Sequence, residues 1–305
     1  LSPNPNRSNL TGITRFHSPN PTQKSKRTKI CGHLAPKPGA PWRHGAIFAE
    51  APAPTPEAAP THPHTYAYQR RYALSRKATL MSASFADVNG TDSFTETLRQ
   101  ENIDTWLSAT NHRFVTELFD GTIAPQVMAG YLVQDYRFLD TFLALIGGAI
   151  ANADTLSGRL RLAQFAGEIA GDENTYFLRC FETLGVTEHQ RESIPDTEAT
   201  TGFKRLFLDA AASGSYAAIL SVLMVCEGLY LDWASKAPAK RPDSFVHHEW
   251  ITLHDYPEFR ELVDFLRREL DRVGPSDAQR AREFFSRAVE LEQLFFDESY
   301  THPLP

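Results

Sequence analysis

The chain has 305 residues, 42% of them hydrophobic, and a formal net charge of −6, enough apolar content for a full core and too much for a wholly disordered chain. Cys31, Cys180 and Cys226 are too few and too irregularly spaced for a disulfide framework or a Cys-x-x-Cys metal site, so a reducing, cytoplasmic compartment is expected. No run of 18 or more apolar residues occurs, so neither a membrane span nor a membrane partner is expected.

Residues 1–80 hold 12 Lys+Arg against two acids, Glu50 and Glu57, and 12 of the 20 prolines. Residues 81–305 hold 19 Lys+Arg against 35 Asp+Glu. The composition changes near Met81, the first methionine of a chain that starts at Leu1. Without hydrophobic periodicity, residues 1–80 cannot bury enough surface to offset their ordering entropy, and disorder is predicted there. A start set upstream of the natural one is the favoured reading. A targeting segment competes, although its prolines oppose an amphipathic helix. A basic nucleic-acid arm is the third reading. Residues 81–305 are predicted to form the folded domain, and its acidity weighs against a nucleic-acid partner.

From residue 90 onward the apolar spacing is helical. Asp92 or Ser93 can cap a helix to about Asn111. Pro125 suits the first turn of a long helix through Ala151. Another runs from about Leu156 to Leu184 and stops at Gly185. Further helices are predicted over 198–212, 215–236, 245–254, 257–272 and 276–300. No strand or hairpin signal appears. The expectation is an all-α bundle of seven or eight helices.

Three apolar helices carry charges where a dry face is expected. In Tyr131–Leu139 the carboxyl of Asp135 should be buried, and a buried carboxylate needs partners. In Leu220–Leu231, Cys226 and Glu227 interrupt an apolar run, with Tyr230 one turn on. Cys226 and Glu227 lie about 100° apart around the helix, so one cavity need not take both. In the last helix Glu292 shares its face with Val289, Phe295 and Phe296. Structural hydrogen bonds and packing remain the plain alternative for each.

The strings YLVQDYRFL (131–139), SGSYAAILSVLMVCEGLY (213–230) and ELEQLFFDESY (290–300) resemble, in order and spacing, three motifs of the TenA (thiaminase II) family. The resemblance spans about 90–300. It implies the haem-oxygenase-like all-α fold, a homotetramer, no cofactor or metal, and a small pyrimidine derived from thiamine as substrate. It assigns pyrimidine binding to Asp135, a ring-nitrogen proton to Glu292, the nucleophile position to Cys226 and the tyrosine after it to Tyr230. Tyrosines of the cysteine-type pocket fall on Phe138, Phe203 and Leu253. With EGLYLDWA (227–234), this favours Glu227 over Cys226 as catalytic group. Tyr136, Phe138 and Phe203 are expected to offer stacking faces. The function implied is conversion of aminomethylpyrimidine or its formyl derivative to hydroxymethylpyrimidine. The runner-up is thiaminase II action on thiamine through Cys226.

Two other classes compete on such a fold. A non-heme iron oxygenase needs carboxylates and histidines, often as Glu-x-x-His. That motif is absent, although His247, His248 and His254 gather near Glu249. Haem binding needs a histidine deep in an apolar stripe, and none stands out. A ligand-binding regulator would bind pyrimidines without turning them over.

Overall fold

A computed structural model describes residues 93–304. The expectations for residues 1–80, and the boundary at Met81, lie outside the described residues.

Among the described residues the chain forms twelve α-helical segments and no strand. They are α1 (Phe94–Glu101), α2 (Ile103–Thr110), α3 (Arg113–Asp120), α4 (Pro125–Asn152), α5 (Leu156–Glu168), α6 (Asn174–Leu184), α7 (Glu188–Ser193), α8 (Glu198–Ala212), α9 (Tyr216–Ala234), α10 (Phe245–Leu253), α11 (Pro257–Val273) and α12 (Ala278–Thr301). The all-α expectation holds, with more breaks than the apolar pattern gave. The first predicted helix divides at Asn102, whose side chain bonds back to Leu98 O. The short α3 and α7 fall in stretches where the apolar spacing predicts no helix. The predicted 156–184 helix is interrupted by a π turn, Ile169–Glu173.

Side chains start many of these helices. Ser93, Thr155, Thr197 and Ser215 each accept an N–H from the first turn of α1, α5, α8 and α9. Thr187 and Gln190 form a capping box on α7. Pro125 opens α4 as expected, and Gly185 ends α6 with φ 69°.

The core is built around α9. It packs on α12 and α11, while α4 packs on α8 and α5. By length and composition α9 is apolar enough to cross a bilayer, against the sequence expectation, yet 94% of its most apolar window is buried in the fold. A helix buried on every side needs no polar face, so a carboxyl or thiol on it must point into protein or a cavity.

Gln134 and Arg137, on either side of Asp135 and Tyr136, serve the frame. Gln134 bonds Pro195 O and Thr197 N, and Arg137 pairs with Asp196. Glu298 accepts the N–H groups of Glu198 and Ala199 at the start of α8. These contacts fix α4 and α12 against α8, which sets the walls of the cavity described next.

Candidate active site

A cavity with about 780 Å³ of empty space, open solvent included, lies among α4, α5, α8, α9, α10 and α11. Asp135 and Phe138 reach it from α4, Phe203 from α8, and Cys226, Glu227 and Tyr230 from α9. Leu253, His254 and Tyr256 close one side. The neighbours Cys226 and Glu227 both face it, so the 100° between them spans two walls of one space. Glu292 on α12 is 3% exposed, lies beside Cys226 and is not among the lining residues.

Tyr136 does not line the cavity. Its hydroxyl donates to Asn174 Oδ1 at 3.2 Å, and its ring packs on Phe177 and Phe181 with centroids 5.5 and 5.4 Å away. One step around the helix from Asp135 turns it toward α6, so its expected stacking role is corrected to a packing one. Phe138 and Phe203 do form an apolar wall, 5.2 Å between centroids and backed by Phe295.

Asp135 is 6% exposed. The Tyr230 and Tyr131 hydroxyls share a hydrogen bond at 2.8 Å, and Tyr131 lies one turn before Asp135 on α4. Burial holds the Asp135 carboxyl well above the usual range, the Glu173 charge adds to this, and the Tyr131 hydroxyl opposes it. Glu227, 8% exposed, is raised by burial, then by Glu173, Glu292 and Asp135. Glu292 is raised by burial and by Asp135. Four acids around one small space cannot all ionise, so some stay protonated at neutral pH. The Cys226 thiol is pushed far up by burial and by Glu292 and Glu227, which opposes a thiolate.

The apolar pattern missed the π turn. It adds a residue to one helical turn, and Glu168, Asp172 and Glu173 around it all line the cavity. Burial raises Glu173 to about 7. No 3.6-residue pattern signals such a turn; only the short polar run Gly171-Asp172-Glu173-Asn174 inside an apolar helix could have drawn notice.

His254 was also misjudged. It is buried against Trp250 and Tyr230, with centroids 4.5 and 4.7 Å away, and lines the cavity. Its Nδ1–H donates to Trp250 O at 2.7 Å, and burial lowers it to about 4, so the ring is neutral. His247 and His248 are not among the lining residues, and Glu249 pairs with Arg179. Among the described residues no group of three or more His, Cys, Asp or Glu is disposed to hold a metal ion.

The aminopyrimidine aminohydrolase of Halalkalibacterium halodurans is 26% identical over 217 residues, covering 68% of this chain and 96% of that protein. A TenA homologue from P. horikoshii OT3 superposes with a TM-score of 0.60 at 21% identity, covering 69% of this chain and 99% of the other. A domain of unknown function with a heme oxygenase-like fold, from Shewanella denitrificans, gives 0.51 at 18% identity, covering 67% and 91%. The fold is therefore haem-oxygenase-like. The TENA/THI-4/PQQC family matches residues 100–302, two thirds of the sequence, and the chain belongs to that family.

Proposed function

We propose that this protein is a thiamine-salvage hydrolase that converts an aminopyrimidine to hydroxymethylpyrimidine. The observation that carries the reading is the convergence of Asp135 and Glu227, from two helices, on one cavity with an aromatic wall, with the buried Glu292 close enough to shift Glu227. The similarity to an aminopyrimidine aminohydrolase over nearly that protein's whole length supports it.

The residue types suit the chemistry. An aminopyrimidine edge offers an exocyclic amine and ring-nitrogen acceptors. Asp135, whose ionised form the Tyr131 hydroxyl favours, accepts from the amine. Glu292, kept protonated by burial, donates to a ring nitrogen. Drawing electrons to that nitrogen weakens the bond between the ring methylene and its nitrogen substituent. Phe138 and Phe203 flank the ring, and Glu227 accepts a proton from the attacking water. Each acid–base role contributes roughly 10²–10⁴-fold.

Release of hydroxymethylpyrimidine from aminomethylpyrimidine, its formyl derivative and thiamine tests the reading. Turnover of the first or second, abolished by Glu227→Gln, is expected. Thiamine cleavage that depends on Cys226 instead would make the protein a thiaminase II. Absence of any turnover by the unmutated chain would leave a binding protein.

The reading extends to a homotetramer in the cytoplasm. The exposed Leu156 and Leu160, one turn apart on α5, support an apolar contact between copies. Light scattering on the purified chain tests the assembly.

A further inference from the structure

The cavity wall carries one sign of charge. Asp135, Glu168, Asp172, Glu173 and Glu227 line it, and among the described residues no lysine or arginine does. His254, the one basic side chain on the wall, is neutral because burial lowers it to about 4, outweighing the bond to Trp250 O that favours its charged form. Glu168 is engaged by Arg161 at 3.5 Å and by Gln164 at 2.8 Å. Asp172 and Glu173 have no hydrogen-bond or ion-pair partner among the described residues. Independently, Glu227 is 92% buried (8% exposed) and faces the cavity without a hydrogen bond from any described residue. A buried carboxyl with nothing bound to it is costly, and a cationic ligand would remove that cost.

We propose that this cavity selects pyrimidines whose departing nitrogen carries a positive charge, with Glu173 and Glu227 as the carboxylates that pair with it. The inference rests on the hydrolase reading above and narrows its substrate. Two leaving groups meet the condition: the ammonium of a protonated aminomethylpyrimidine and the thiazolium of thiamine. The formylated amine is neutral and phosphate esters are anionic, so both are disfavoured. A cleft of one sign concentrates the opposite charge, and rejection of the competitor gives as much specificity as attraction of the substrate.

The charge also matters to the chemistry. In a protonated aminomethylpyrimidine the bond from methylene to nitrogen breaks with both electrons going to nitrogen, which leaves as neutral ammonia. Water oxygen forms the new bond to the methylene carbon, and its proton passes to the Glu227 carboxylate. A formylamide leaving the same way would depart as an anion, so it must first receive a proton. One state of Glu227, the carboxylate, therefore serves both binding and turnover of the charged substrate.

Steady-state kinetics of the full chain and of Glu173→Gln, on aminomethylpyrimidine, its formyl derivative and thiamine, test this. The unmutated protein should prefer a charged substrate over the formyl derivative by tenfold or more in kcat/KM. Glu173→Gln should shrink that ratio at least tenfold, mainly by raising KM for the charged substrate. Should Glu173→Gln fail to fold, Asp172→Asn at an exposed position should move the ratio the same way by a smaller factor. Equal or better use of the formyl derivative, or a ratio that neither variant moves, would overturn the proposal and leave the hydrolase reading intact. If nothing is turned over, the hydrolase reading fails instead. Calorimetric titration with the same three compounds then decides the charge selection: tighter binding of the charged ones upholds it, and equal binding overturns it.

Discussion

The Cys226 thiol lies beside the Glu292 carboxyl where α9 meets α12. That acid and burial together keep the sulfur a thiol. Cys226→Ala should lower aminopyrimidine turnover no more than about tenfold, the scale of one lost polar contact. Glu227→Gln should lower kcat by roughly 10²–10⁴-fold. Single-turnover product release measures both. A Cys226→Ala enzyme that is wholly inactive would assign the chemistry to sulfur.

Asp135→Asn and Glu292→Gln preserve shape and remove one proton function each. Asp135→Asn replaces an acceptor facing the exocyclic amine with an amide, and should raise KM. Glu292→Gln keeps a donor but cannot transfer its proton, so the loss should fall on kcat, on the order of 10²-fold or more. Full activity in either variant would remove that residue from the site.

The Tyr131 hydroxyl is bonded to Tyr230 at 2.8 Å and opposes the rise that burial gives the Asp135 carboxyl. Tyr131→Phe leaves the ring packing on Phe114 and Trp250 in place. It should destabilise the protein by about 1–2 kcal/mol through the unpaired Tyr230 hydroxyl. It should also weaken pyrimidine binding, because Asp135 loses the neighbouring hydroxyl that favours its ionised form. Thermal melts with and without ligand separate the two effects.

Glu173 makes stability depend on pH. Its folded-state value of about 7 lies above the 4.5 of a free glutamate, so between these the folded protein binds more protons than the unfolded chain. Stability therefore falls as pH rises from about 4.5 and levels off above about 7. Glu173→Gln removes this slope. The variant should be more stable at pH 8 by roughly 1–3 kcal/mol and nearly equal at pH 4. Chemical denaturation at the two pH values measures it; an unchanged difference would mean that water already solvates the carboxyl.

The sequence made part of this site legible because a charged residue inside an apolar helix is costly and therefore conspicuous. Asp135, Glu227 and Glu292 stand out in this way, and the helical period around them located α4, α9 and α12. Period alone could not rank neighbours. Tyr136, adjacent to Asp135, turns to α6, whereas Glu227, adjacent to Cys226, shares its cavity. Tyr131 looked like one more core aromatic, since only tertiary contact gives its hydroxyl a partner. His254 sits just past the end of α10, where an apolar stripe has no phase to read. Nothing in the apolar spacing points to Glu168, Asp172 and Glu173, because the extra residue of the π turn beside the cavity changes no composition.

The π turn at Ile169–Glu173 has an evolutionary reading as well. An α-helix advances about 100° per residue. Loss of a single codon within 169–173 would restore regular winding and rotate the two sides of the turn against each other by that amount. Such a deletion would redirect the acidic side chains while leaving the helices that form the walls in place. Substrate preference in relatives of this chain would then diverge through length changes in one turn, with Asp135 and the Phe138–Phe203 wall untouched.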